Sequence, residues 1–149
     1  MQDKVGKLGS GFVWLFALLA VLIGIGSGYA TQGLDAKVSS AVYFGVFLAA
    51  GFAGTVLTKA RALSSIAAFL LASLASAGTY YAIASSAVSD AAGALGGGEA
   101  GGMLGAAIGI FVAVITFFVS MAGGIGGALA GIRARNQLGK QLDKQLGAA

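Results

Sequence analysis

The chain of 149 residues is 58% hydrophobic and only 9% charged, with a mean hydropathy of +0.92, whereas soluble domains are about 25% charged. It contains no Cys and no His, which excludes disulfides, thiolate nucleophiles, imidazole bases and imidazole ligands to zinc or haem. The net charge of +4 sits beside apolar runs rather than in a basic stripe, so it points to a membrane and not to nucleic acid.

Uncharged runs occupy 8–34, 38–58, 62–89 and 100–132, with 27, 21, 28 and 33 residues. Each exceeds the roughly 18 residues that mark a spanning candidate. The expectation is an all-α integral membrane protein: one membrane domain, residues 1–149, folded as a four-transmembrane-helix antiparallel bundle with a short amphipathic C-terminal helical tail.

The first span is expected at about 12–29, with Ala20, Gly24 and Gly28 four residues apart. Lys4 and Lys7 before FVWLFALLAVLI, with Gly28-Tyr29-Ala30 as a small-x-small site, also fit a secretory signal peptide. Cleavage would leave three spans, and retention is the reading adopted. The second span, about 41–58, carries Gly45, Ala49 and Ala53 on one face. The brief turn TKARALSS makes it an antiparallel partner of the third span, about 63–84. There Ala68, Ala72, Ser76 and Thr79 form a small face suited to protein contact, while Leu70, Leu71 and Leu74 point to lipid.

Residues 85–102, SSAVSDAAGALGGGEAGG, read as the longest loop, with room for a short surface helix starting near Ser89. The fourth span, about 103–132, holds the stretch GAAIGIFVAVITFFVSMAGGIGGALAG. Its Gly105 and Gly109, and then Gly123, Gly127 and Gly131, are spaced by four, which lets a neighbouring backbone approach closely. With 26 glycines, about four such pairs arise by chance, against eight present; those at 93–101 are therefore discounted as local clustering. The basic tail, 133–149, repeats QLGK, QLDK and QLGA, with Leu138, Leu142 and Leu146 four apart. It reads as an amphipathic stripe at lipid headgroups, as a solvated helical edge, or as a contact for a partner helix.

Charge sets the orientation. Lys4, Lys7, Lys59, Arg61, Arg133, Arg135, Lys140 and Lys144 fall on one side, and only Lys37 on the other. This positive-inside pattern places both termini in the cytoplasm, and the inner (plasma) membrane of a bacterium is the expected location. All four tyrosines, Tyr29, Tyr43, Tyr80 and Tyr81, then fall near outer span ends, where an interfacial belt belongs.

No catalytic constellation is present. The serines have no intramembrane base to activate them, and the carboxylates Asp3, Asp35, Asp90, Glu99 and Asp143 all lie in loops or tails. No enzyme activity, cofactor or metal is expected. GGIGGALAG lacks the order and strand context of a phosphate-binding loop. The expected function is that of a non-catalytic accessory or structural subunit, packed by small-residue faces within a larger or homo-oligomeric membrane complex. The packing residues are Gly24, Gly28, Gly45, Ala49, Ala72, Ser76, Gly105, Gly109, Gly123, Gly127 and Gly131. Lys59, Arg61, Arg133, Arg135, Lys140 and Lys144 are expected to meet lipid headgroups or a partner. The alternative is a small oligomeric pore, channel or holin-like protein. Partners are membrane lipids and other membrane subunits or further copies of the chain, without nucleic acid.

Overall fold

The structure, a computed structural model, describes residues 2–31 and 35–147. Four helices follow one another: α1 (Gln2–Ala30), α2 (Ala36–Thr58), α3 (Ala62–Ala94) and α4 (Gly98–Leu146). Among the described residues there is no strand. Each helix includes a stretch long and apolar enough to cross a membrane: Gly11–Ala30, Lys37–Thr58, Ala62–Ala94 and Gly98–Gln145. Part of the expected first loop, 32–34, and the last two residues of the tail lie outside the described residues. So do the side chains of residues 2–10, Ala36, Leu142 and Leu146, and with them most of the expected leucine stripe.

Local chemistry explains where the helices begin and end. The Asp35 carboxylate accepts a hydrogen bond from the Lys37 backbone N–H at 3.1 Å, satisfying one of the donors that a helix start leaves open. Lys59 ends α2 in the left-handed conformation, φ 52°. The α3–α4 connection is only Leu95–Gly97. Its Gly97 N–H donates to the Ala92 carbonyl at 2.8 Å and its Gly96 N–H to the Gly93 carbonyl at 3.0 Å, while Gly96 takes φ 82°. That pair of bonds around a left-handed glycine is a Schellman cap.

The segment 85–102 is therefore not a loop. Ten of its residues continue α3 to Ala94, and α4 has begun by Gly98. Ala and Ser support a helix wherever a neighbour packs on it, and only Gly96 and Gly98 are held at positive φ. The tail is helical and continues the apolar stretch without a break to Leu146, making α4 a single helix of 49 residues, about 74 Å long at 1.5 Å per residue.

Helix α4 packs most extensively, first on α3 and then on α2; α1 rests on α2 and α3, while α2 and α3 barely meet. Glycine contacts give the register. Climbing α4, Gly101, Gly105 and Gly109 meet Ala92, Ser89 and Ser85 descending α3. Gly123, Gly127 and Gly131 meet Phe44, Leu48 and Phe52, which climb α2 in step. Arg135 donates to the Ala60 carbonyl at 3.4 Å, so the far part of α4 lies beside the α2–α3 turn. This end, with Lys59, Arg61, Arg133 and Arg135, is the basic end of the molecule.

Candidate functional site

The interior is built by pressing rings and carbonyls into glycine notches. On the α2–α4 contact the partner is backbone. A Cβ on Gly123 would stand 2.8 Å from the Phe44 carbonyl oxygen, and one on Gly131 would stand 2.9 Å from that of Phe52; Gly127 meets the Leu48 carbonyl in the same way. Gly51 on α2 answers with its own close contact to the Gly124 carbonyl. Such an approach brings Cα–H groups against carbonyl oxygens, a weak but repeated attraction between helices.

Elsewhere the notches receive aromatic rings. A Cβ on Gly124 would lie 2.7 Å from Phe69 Cδ1, one on Gly24 2.9 Å from Tyr43 Cε2, and one on Gly109 3.0 Å from Tyr81 Cδ2. The Tyr80 hydroxyl occupies the space at Gly28, and Phe16 sits over Gly54. A ring seated where a methyl group would otherwise be keeps the dense packing that interiors require. Ala68, Phe69, Phe47 and Val13 are completely buried.

Within this core lies a hydroxyl cluster. The Tyr43 hydroxyl is hydrogen-bonded to that of Ser76. The Tyr80 hydroxyl donates to the Gly24 carbonyl at 3.3 Å. The Tyr43 and Tyr80 rings meet edge to face, with centroids 5.6 Å apart and planes at 85°, an arrangement favoured by the ring quadrupoles. Fully buried Ser73 and Ser120 turn back to their own helix, donating to the carbonyls of Phe69 and Thr116, each at 2.7 Å. Away from the basic end the cluster opens into a pocket of about 190 Å³, lined by Ser39, Ser40, Tyr43, Tyr80 and Thr116 together with Gly28 and apolar neighbours. Five hydroxyls without a charge suit uncharged hydrogen-bonding partners such as water. They supply neither a base nor an ion ligand of fixed charge. Among the described residues, no group of three or more carboxylates has the arrangement to hold a metal ion.

Several expected packing residues converge here. Gly24 and Gly28 of α1, Ser76 of α3, and Gly123, Gly127 and Gly131 of α4 all face the interior, and Gly105 and Gly109 face α3 farther along. Ala72 is 8% exposed. Gly45 and Ala49 are different: Gly45 has open space where a Cβ would be, and Ala49 is exposed. The contact face of α2 is instead Tyr43, Phe47, Gly51, Gly54 and Thr55, rotated from the face chosen on size alone. Both faces carry small residues, but only this one also carries rings that match Gly24 and Gly123. Gly101, discounted above, packs against Ala92.

The tyrosines divide. Tyr29 and Tyr81 are exposed, but Tyr43 is only 7% exposed and Tyr80 is half-buried; burial is affordable because each hydroxyl finds an oxygen on another helix. At the basic end Lys59, Arg61 and Arg133 are exposed and Arg135 is half-buried; Lys140 and Lys144 are exposed farther along α4. Leu138, the one described member of the leucine stripe, is 56% exposed. No protein-family model, curated protein or solved structure matches the chain.

Proposed function

We propose that the chain is an integral membrane protein of four crossings, folded as an antiparallel bundle, and that it serves as a non-catalytic accessory or structural subunit. One observation carries this reading: the exterior of the spans is as apolar as the interior, and small hydroxyl residues are among those buried. Leu15, Leu22, Leu71, Leu74 and Phe118 are about half exposed around the spans, whereas Thr55, Ser65, Ser73, Ser76 and Ser120 are fully buried. In water that exterior is an aggregation surface; in hydrocarbon it is the surface lipid requires. Every buried side-chain nitrogen or oxygen among the described residues has a partner, as an apolar solvent demands.

The positive-inside bias supports cytoplasmic termini in the inner (plasma) membrane of a bacterium. The length of α4 supports a role beyond the bilayer. A hydrocarbon core of about 30 Å takes less than half of the helix, so Lys140 and Lys144 are carried clear of the membrane, where a cytoplasmic partner has access to them. A conducting path is disfavoured because the hydroxyl cluster carries no charged ring.

Purification of the tagged chain in mild detergent, with mass spectrometry of whatever accompanies it, tests the reading. A stoichiometric membrane-protein partner or a defined homo-oligomer is expected. A chain that comes out alone and makes liposomes permeable to ions or dye would replace the subunit reading with the pore.

A further inference from the structure

The four helices do not end together. Gly123, Gly127 and Gly131 of α4 pair with Phe44, Leu48 and Phe52 of α2 in equal steps. Carried back to the start of α2 at Ala36, the same pairing reaches Ile115, and Ser39 and Ser40 do share a pocket with Ile115, Thr116 and Val119. Helix α1 stops at this level too, since the Ser39 hydroxyl donates to the Thr31 carbonyl at 3.3 Å. Among the described residues, α4 therefore has only α3 beside it from Gly98 to Val114, where Gly101, Gly105 and Gly109 meet Ala92, Ser89 and Ser85. At 1.5 Å per residue this stretch carries the α3–α4 hairpin about 25 Å past the ends of α1 and α2.

The stretch Lys37–Thr58 of α2, 22 residues, is about 33 Å long and already fills a hydrocarbon core of about 30 Å. The hairpin thus stands among headgroups and in water, yet the open surface of α4 there is apolar. Leu104, Ile108, Phe111, Ile115 and Phe118 recur at alternating steps of four and three, and each is between 39% and 67% exposed. That is a seam of 3.5-residue period, set roughly a quarter turn away from the glycines that α3 covers. We propose that the seam is the contact between two copies of the chain, with α4 lying parallel to the α4 of the second copy about a two-fold axis along the membrane normal. This deepens the subunit reading above and rests on its membrane placement.

Position is the first argument for that occupant. Lipid tails reach Phe118 and Ile115 but not Ile108 or Leu104, and an apolar stripe in water is covered by protein. Area is the second. At about 1.45 Å² of extended surface per dalton, the exposed fractions of the five seam residues amount to about 500 Å² per copy, which the flanking Ala107 and Val114 raise to about 600 Å². Two copies together then bury about 1,200 Å², the lower edge of stable, specific interfaces.

Self-complementarity is the third. The spacing puts Ile108 and Ile115 at a positions and Leu104, Phe111 and Phe118 at d positions, and β-branched residues at a with leucine at d favour two parallel strands. Partner choice in such a pair is set by charges at the flanking e and g positions. Here these are Gly105, Val112 and Val119 on one flank and Ala107 and Val114 on the other. Nothing repels an identical helix, and nothing selects a different one. Copies inserted in the same orientation present the seam to each other in parallel, as a two-fold contact requires.

The chain has no cysteine, so single cysteines report the contact. Leu104→Cys places a thiol on the seam. Met103→Cys places one at nearly the same height, on a residue still more exposed at 78%, but about 100° away around the helix. Membranes containing either variant are washed with alkaline carbonate and oxidised with copper phenanthroline. A disulfide-linked dimer is expected from Leu104→Cys and not from Met103→Cys, because the bond needs Cα atoms within about 7 Å. Adding Phe111→Ala to the first variant should cut the dimer yield several-fold, while adding Ile110→Ala, off the seam, should leave it unchanged. A chain that stays in the washed membranes but cross-links equally at 103 and 104, or at neither, or with a yield that Phe111→Ala leaves intact, overturns the dimer and leaves the membrane reading standing. Loss of the chain from the washed membranes overturns that reading.

Discussion

Gly127 of α4 lies against the carbonyl oxygen of Leu48 on α2, with no room between them for a methyl group. The same contact recurs one turn to either side, at Gly123 with Phe44 and at Gly131 with Phe52. Backbone carbonyls cannot swing aside as a side-chain tip can, so these glycines set the distance between the two helices.

A first prediction separates notch glycines from open ones. Gly127→Ala is expected to destabilise the fold by about 1–3 kcal/mol through overpacking. Gly126→Ala, one residue away with nothing within 4 Å of the added carbon, should instead stabilise by about 0.5–1 kcal/mol, because alanine favours the helix over glycine. Denaturant titration in detergent micelles, followed by far-UV circular dichroism, measures both. Equal effects at the two positions would remove the carbonyl ladder as an explanation.

The Tyr43–Ser76 hydroxyl pair, 33 residues apart in the chain, joins α2 to α3 where those helices otherwise have little contact. Tyr43→Phe and Ser76→Ala should each cost about 0.5–1.5 kcal/mol. The double variant should cost clearly less than the two losses combined, since the second change removes a bond already lost. Additive losses in the double-mutant cycle would mean that the two hydroxyls act separately.

Gly96 holds φ 82° at the end of α3, and Gly93 beside it has open space at its Cβ position. Gly96→Ala should destabilise by about 1–2 kcal/mol, the penalty of a left-handed L-residue. Gly93→Ala should be neutral or stabilising by less than about 1 kcal/mol. Hydrogen exchange at the Leu95 and Gly97 amides, which donate to the Ala92 carbonyl, provides a local readout: faster exchange is expected in the first variant only.

The absence of native cysteine makes orientation directly measurable. Glu99→Cys, at the start of α4, and Lys144→Cys, at its end, are both exposed positions. A membrane-impermeant maleimide added to intact cells should label the first and not the second. Labelling of both without lysis would reject the four-crossing topology.

Charge gaps in the sequence were enough to locate four apolar helices, because ionised side chains and long apolar helices exclude one another. They were a poor guide to where helices end. Residues 85–94 read as a loop because Ser, Gly and Asp weaken an isolated helix, yet the contacts of Ser85, Ser89 and Ala92 with the glycines of α4 supply what propensity lacks. The packing face of α2 was hidden for a related reason. Gly45 and Ala49 form as small a stripe as Gly51 and Thr55, and a single helix does not reveal which stripe its neighbour needs. The answer lies on α1 and α4, where Gly24 and Gly123 accept Tyr43 and Phe47. The same belt reading covers Tyr43 and Tyr29, but only Tyr29 is exposed; Ser76, far away in sequence, provides the partner that brings Tyr43 inside.

Because α4 is the principal neighbour of both α2 and α3, the first three helices are synthesised before the element that supplies most of their packing. Until α4 is synthesised, the flank of α2 around Phe44, Leu48 and Phe52 has nothing seated on it, and the Phe69 ring has no Gly124 to enter. A message truncated anywhere before Gly98 thus yields three helices that lack their most extensive packing partner. Assembly of this protein is an event of the end of translation, not of its beginning.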